Sequence, residues 1–119
     1  MNAPAVHPGK PLCRIEEIED GEAKGFVLGE GVDQISILVA RDGEAVFGYL
    51  NVCPHTGSPL DWNEDEFMSE DGAHLMCHTH GALFRIGDGD CIAGPCAGDR
   101  LTPVPLEIDG EGRVLLRPR

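Results

Sequence analysis

Two short stretches decide the fold of this chain: Cys53-Pro54-His55-Thr56-Gly57 and Cys77-His78-Thr79-His80-Gly81. Each stretch offers one thiolate and one imidazole, so two loops can hold metal from two sides. Two centres suit two cysteines and two histidines: one tetrahedral zinc ion, or a two-iron, two-sulfide cluster with the thiolates on one iron and the imidazoles on the other. Ligand identity leaves both open, because both are tetrahedral sites with borderline-soft ligands.

The order of the ligands favours the cluster. A two-Cys, two-His zinc finger usually has both cysteines in its first pair and both histidines in its second. Here each pair is mixed, so each loop can contribute one ligand to each iron.

The pattern Cys-x-His followed by Cys-x-x-His-Gly resembles the Rieske [2Fe–2S] domain. The resemblance implies one cluster per chain, with Cys53 and Cys77 on one iron and His55 and His80 on the other. It runs from about residue 45 to the end and includes three further matches: Gly57-Ser58-Pro59-Leu60, Gly81-Ala82-Leu83-Phe84, and Gly94-Pro95, which falls where the family has a proline loop over the cluster.

This region also contains a competing histidine and a long spacer between the two ligand pairs. His78 is adjacent to Cys77 and competes with His80, but the Cys-x-x-His spacing and the following Gly81 favour His80. The 21 residues between His55 and Cys77 exceed the usual family spacing. We expect the excess to form an enlarged acidic surface loop over Asp61–Asp71, which costs little because closure entropy rises slowly with loop length.

The remaining sequence predicts an all-β domain with many short strands and Gly-rich turns. This agrees with the antiparallel β sandwich or barrel, with a small inserted cluster-binding lobe, that the resemblance implies. We expect a flexible N-terminal arm over residues 1–10, a single domain over 11–119, and a cluster-binding lobe over about 50–97. The predicted strands are Pro11–Ile18 (a weak signal), Gly25–Leu28, Gln34–Ala40, Ala45–Asn51, His74–Met76, Ala82–Ile86, Cys91–Ala93, Leu101–Ile108 and Arg113–Arg117.

The net charge of the chain limits the classes of molecule that it is expected to bind. The 119 residues carry a net charge of -12, so nucleic acid and anionic membrane surfaces should repel the protein. The same charge can steer a protein partner with a basic docking face into encounter. No apolar run is long enough to cross a bilayer and the N-terminus lacks a signal-peptide pattern, so we expect a cytoplasmic protein.

The cysteine count argues against a disulfide framework, because five is an odd number. With Cys53 and Cys77 assigned to metal, Cys13, Cys91 and Cys96 remain. In a reducing cytoplasm these three would stay thiols. We expect them to be structural rather than a functional pair.

The resemblance implies an electron-transfer protein of the soluble ferredoxin type. High-potential members place hydroxyl groups near the cluster at positions that correspond here to Ala82 and Phe84, and a disulfide at positions that correspond to Ser58 and Thr79. We therefore expect a low-potential one-electron carrier between a reductase and a terminal oxidoreductase such as a ring-hydroxylating oxygenase. No substrate site of its own is expected, so the protein would not be an enzyme. The alternatives are a small subunit of a multisubunit oxidoreductase, similar to the nitrite reductase small subunit, and a zinc-bound structural domain, which ranks below both.

Overall fold

The computed structural model describes residues 11–29, 32, 34–54, 57–61, 65–78 and 81–117. Residues 1–10, predicted to be a flexible arm, lie outside these ranges. In the described residues the chain forms short strands joined by turns, including a 3-10 turn at Ile15–Glu17, as the all-β prediction requires. The strands are β1 (Pro11–Arg14), β2 (Ala23–Leu28), β3 (Ile35–Asp42), β4 (Ala45–Leu50), β5 (Leu75–Cys77), β6 (Ala82–Phe84), β7 (Cys91–Ala93), β8 (Pro103–Val104), β9 (Leu106–Ile108) and β10 (Arg113–Leu116). None of the described segments forms a helix long and apolar enough to span a membrane.

Three antiparallel sheets organise these strands. The largest has the order β2-β3-β4-β8, the second β1-β10-β9 and the third β5-β6-β7. Strands β3 and β4 form the long hairpin predicted from the sequence, joined by a two-residue turn at Gly43 and Glu44. The first and last strands of the chain pair with each other, since Arg14 lies opposite Arg113.

The first strand is shorter than predicted, because it ends at Arg14 and residues Ile15–Glu17 form a turn of 3-10 helix. The backbone N–H of Arg14 donates to the Glu17 carboxylate at 2.6 Å, which satisfies a donor at the start of that turn. The turn carries Ile18 into the core, where it is buried. The mixed apolar and charged pattern over Pro11–Ile18 therefore reflects a strand followed by a tight turn.

Strand β3 separates two hydrophobic clusters. Ile37 and Val39 belong to the cluster shared with β1 and β10, whereas Leu38 and Ala40 belong to the cluster that contains Cys53 and Cys77. Alternate residues of a strand point to opposite faces, so β3 is buried on both sides. The sequence predicted the strand, but its alternation with Gln34 and Ser36 did not show that the second face is covered.

The acidic segment after the first ligand loop is anchored to the body at its far end. Phe67 is fully buried and its backbone O accepts from Met76 N at 2.7 Å. Asp65 Oδ1 accepts from the backbone N–H of Gly25 in β2 at 2.7 Å. Met68 bridges to Leu75 at the start of β5. The enlarged loop is thus a surface segment whose described end is fixed by one buried ring and by hydrogen bonds to two strands.

Candidate metal centre

The two predicted ligand loops have the same backbone geometry in their described residues. The carbonyl of Cys53 accepts from Gly57 N at 2.7 Å, and the carbonyl of Cys77 accepts from Gly81 N at 2.8 Å. The two glycines have φ values of +75° and +74°, a region that side chains disfavour. Each loop is therefore a five-residue turn that begins at a cysteine and closes at a glycine.

The two predicted histidine ligands lie outside the described residues. In the sequence His55 falls between Cys53 and Gly57, and His80 falls between Cys77 and Gly81. Their assignment as ligands stays a prediction. The competing residue, His78, is described: its backbone N–H donates to the carbonyl of Leu60 at 2.9 Å, which ties the second loop to the first.

Both predicted cysteine ligands are buried in the same hydrophobic core. Cys53 is 1% exposed and Cys77 is fully buried, and both belong to the same hydrophobic cluster. Cys77 ends β5 and lies opposite Ala82 in β6, while Cys53 follows three residues after β4. Burial away from water is the environment in which a thiolate is stable only with a compensating positive charge such as a metal.

Asn51 positions the first loop, a role that the sequence analysis missed. Its side-chain oxygen accepts from Leu60 N at 2.8 Å, inside the loop that follows Cys53. Its side-chain nitrogen donates to Asp61 at 3.0 Å and to the Ser36 hydroxyl at 3.3 Å. Asn51 is only 7% exposed, and from inside the protein it ties the far end of the loop, at Leu60 and Asp61, to Ser36 in β3. A lone asparagine at the end of a strand carries no sequence signal for this role beyond its preference for turns.

The segment after β7 lies beside Cys53 and against β6, the strand that pairs with Cys77. A Cβ on Gly94 would lie 2.7 Å from the Cα of Ala82, the residue opposite Cys77, so this segment touches the backbone of β6. The side chain of Cys96 lies close enough to that of Cys53 for Cys53 to raise the pKa of the Cys96 thiol. That the Gly94-Pro95 segment covers the predicted cluster stays a prediction.

Cys96 is itself at the centre of a group of sulfurs. Its Sγ lies 2.9 Å from the Sγ of Cys91, and both residues are buried. Burial, followed by the hydrogen bonds and charges of Cys91 and Cys53, raises the pKa of the Cys96 thiol to about 12. Burial and the neighbouring sulfurs thus disfavour the thiolate form of Cys96.

The donor set fits a mixed-ligand iron–sulfur centre. Two buried thiol sulfurs lie at the starts of two matched turns, and each turn also contains the sequence position of a predicted imidazole. Two thiolates and two imidazoles are the ligands of a two-iron, two-sulfide cluster of this type. Among the described residues no group of three or more His, Cys, Asp or Glu side chains forms another metal site.

Comparison with known proteins agrees with this geometry. The family model described as "Rieske [2Fe-2S] domain" matches residues 9–108. None of the curated proteins matches the chain in sequence.

Several solved structures share the fold. The ferredoxin of carbazole 1,9a-dioxygenase from Nocardioides aromaticivorans is 23% identical over 96% of this chain and 100% of its own, with a TM-score of 0.70. A complex of reduced oxygenase and oxidized ferredoxin in carbazole 1,9a-dioxygenase is 21% identical over 88% of each chain, with a TM-score of 0.67. A putative NADH-dependent nitrite reductase small subunit from Mycobacterium tuberculosis is 19% identical over 90% of this chain and 91% of its own, with a TM-score of 0.65.

At these identities the likeness to solved structures establishes the fold, and the match of the family model over most of the chain establishes the family. The ligand spacing, the paired turns around Cys53 and Cys77 and that match agree. The chain therefore belongs to the Rieske [2Fe–2S] domain family, whose cofactor is one two-iron, two-sulfide cluster.

Proposed function

We propose that this protein is a one-electron carrier and not itself an enzyme. Cys53 and Cys77 would hold one iron of the cluster, and His55 and His80 the other. The observation that carries the proposal is the pair of buried cysteines at the starts of two matched turns. When bound, a cluster with two neutral imidazole ligands is easier to reduce than one with four thiolates, because it carries less negative charge.

The residues around the cysteines support a low reduction potential. Ala82 and Phe84 occupy the two positions where hydroxyl donors raise the potential in high-potential relatives, and both are fully buried. Neither side chain can donate a hydrogen bond to a cluster sulfur, and such bonds stabilise the reduced, more negative state. We therefore place the potential toward the lower end of the Rieske range of about −150 to +300 mV. A midpoint well above zero would contradict this assignment.

We place the protein in the cytoplasm, between a reductase and a terminal oxidoreductase such as a ring-hydroxylating oxygenase. The fold shared with a ferredoxin of carbazole 1,9a-dioxygenase, and with a ferredoxin in complex with its oxygenase, supports this setting. The net charge of -12 supports partners with basic docking faces, since opposite charge speeds encounter. Such attraction weakens as salt is added.

The acidic segment offers a test of docking with a matched control. Glu66 and Glu70 are exposed there, whereas the neighbouring Asp65 anchors the segment to Gly25 and should be left unchanged. Glu44 and Glu107 are exposed on other strands or turns of the body, so neutralising them removes the same charge elsewhere.

If the acidic segment docks the partner, the double variant E66Q/E70Q should slow electron transfer at low salt and flatten its salt dependence. The control variant E44Q/E107Q should slow electron transfer less and should change its salt dependence less. Stopped-flow reduction of the protein by its reductase across a salt series measures both. Equal effects of the two double variants would show that net charge, rather than this segment, governs encounter.

The main alternative is a small subunit of a multisubunit oxidoreductase. The fold shared with a putative nitrite reductase small subunit favours it. Purification from the native host distinguishes the two: a subunit would co-purify at fixed stoichiometry with a large partner, and a carrier would elute alone. A zinc-bound structural domain would be colourless and would contain no sulfide.

Electron paramagnetic resonance of the dithionite-reduced protein, with iron and acid-labile sulfide assays, tests the cofactor. A rhombic signal whose average g lies below that of an all-cysteine cluster, with two irons and two sulfides per chain, is expected. The variants H80A and H78A test which of the two histidines is the ligand. H80A should lose the cluster and H78A should keep it; the reverse result would move the ligand to His78.

A further inference from the structure

Cys91 and Cys96 form a contact pair that the electron-carrier role does not use. Their Sγ atoms lie 2.9 Å apart, closer than in an ordinary contact between two unbonded sulfurs. Both side chains are buried, with 6% and 2% of their surface exposed. From the sequence we expect structural thiols at these positions in preference to a functional pair, and the structure adds that the two sulfurs meet.

The backbone holds the pair in place. Cys91 N donates to Asp99 O at 2.9 Å, and Asp99 N donates to Cys96 O at 2.9 Å. These two bonds close the segment from 91 to 99 on itself and return Cys96 to Cys91. The contact between the two sulfurs is therefore supported by the backbone of this segment.

The other cysteines differ in a way that provides controls. Cys13 is buried in the second hydrophobic cluster, apart from the cluster that contains the remaining four. Cys53 and Cys77 are the predicted metal ligands. Cys96 also contacts Cys53, so the pair lies directly beside one predicted ligand.

We propose that Cys91 and Cys96 are a second redox centre: a dithiol that closes to a disulfide when hydrogen peroxide oxidises it. The sulfur of Cys91, the more exposed of the two, attacks one peroxide oxygen; the O–O bond breaks, and the other oxygen leaves as water with the thiol proton. The resulting sulfenic acid is attacked by the sulfur of Cys96; the S–S bond forms, the S–O bond breaks and a second water leaves. The two sulfurs lose two electrons and the peroxide gains two.

The disulfide would alter the ligand beside it. A metal-bound Cys53 sulfur would carry no proton, so in the loaded protein any hydrogen bond between the two sulfurs would have to be donated by Cys96. A disulfide has no S–H group, so oxidation of the pair removes this donor. Loss of a hydrogen bond to a ligand sulfur lowers the reduction potential of a cluster. This second effect rests on the proposed function, whereas disulfide formation does not.

The test is peptide mapping of the loaded protein before and after treatment with hydrogen peroxide, with iodoacetamide alkylation under denaturing conditions. Cleavage after arginine leaves Cys91 and Cys96 together in the peptide 86–100, and leaves Cys53 and Cys77 in 42–85. We expect the peptide 86–100 to lose the mass of two hydrogen atoms and to take up no alkyl group. Dithiothreitol should reverse both changes, and Cys13 should remain alkylated throughout.

Three outcomes would overturn the proposal: alkylation of both Cys91 and Cys96 after peroxide, gain of oxygen without loss of hydrogen, or a link between peptides 86–100 and 42–85. The same mapping of apoprotein shows whether the disulfide forms without the cluster. In C96S the peptide should gain oxygen at Cys91 and form no internal link, whereas C13S should behave as wild type.

The effect on the cluster is measured separately, as the midpoint potential of the cluster in protein whose Cys91–Cys96 pair is a disulfide and in protein whose pair is a dithiol. We expect a downward shift on disulfide formation in the wild type and in C13S, and none in C96S. Disulfide formation without a shift would leave the dithiol centre intact and refute only its influence on Cys53. A protein that forms the disulfide but binds no iron or sulfide would refute the proposed function alone.

Discussion

Substitution of Gly94 by alanine tests whether the segment that covers the buried cysteines depends on close contact with β6. Gly94 has a φ of +96°, and a Cβ added to it would lie 2.7 Å from the Cα of Ala82. A backbone atom cannot move aside as a flexible side chain can. Gly98, four residues later, has a φ of +98° and has nothing within 4 Å of its added Cβ. The two glycines therefore share the backbone strain and differ in the clash.

The magnitudes follow from this difference. A left-handed alanine costs about 1–2 kcal/mol at either position. Overpacking against Ala82 adds about 1–3 kcal/mol at Gly94 alone. The entropy of unfolding for 119 residues is about 0.25 kcal/mol/K, so each kcal/mol lowers the melting temperature by about 4 °C. Gly98→Ala should lower it by about 4–8 °C and Gly94→Ala by about 8–20 °C.

Far-ultraviolet circular dichroism measures the melting temperature, and visible absorbance at the same heating rate measures loss of the cluster. We expect Gly94→Ala to bleach the cluster earlier than Gly98→Ala, because the displaced segment lies beside Cys53 and against β6, which pairs with Cys77. Equal melting temperatures for the two variants would refute the argument, since the clash with β6 would then contribute nothing beyond backbone strain.

Two further side chains carry predictions. Asn51→Ala leaves the buried N–H of Leu60 without its 2.8 Å acceptor, and should reduce the free energy of unfolding by about 2–4 kcal/mol; Ser36→Ala, which removes only the 3.3 Å contact, should cost under about 1 kcal/mol in the same urea titration. Burial, with the negative charges of two nearby aspartates, raises the pKa of Tyr49 from 10.0 to about 12. The protonated Tyr49 therefore stabilises the fold fully below pH 10, and this stabilisation is lost as pH rises toward 12. Tyr49→Phe should remove that part of the alkaline loss, at a cost of about 1 kcal/mol at neutral pH from its 2.6 Å hydrogen bond to Ile86 O; an unchanged slope between pH 10 and 12 would contradict the assignment.

Local patterns in the sequence were enough to predict the two ligand loops and most strands. In each loop a backbone hydrogen bond joins the cysteine to the glycine four residues later, and both turns form as expected at Cys53 and Cys77. Alternation and Gly-rich turns likewise predicted the β3–β4 hairpin and the return of the chain through β9 and β10. These features depend on contacts between residues close in sequence. The assignment of all four ligands remains a prediction, and His55 and His80 lie outside the described residues.

Contacts between distant segments were decided by the tertiary structure. Leu38 and Ala40 are buried because the strands that carry Cys77 and its neighbours pack on the second face of β3, which the alternation within β3 cannot indicate. Asn51 became the anchor of the first loop only when Leu60 and Ser36 were brought to it. The contact of Cys96 with both Cys91 and Cys53 arises where a reversed segment meets the first ligand loop. The sequence thus determines which groups can bind metal, because ligand chemistry and turn formation are local, whereas packing alone determines which sulfurs and polar groups meet.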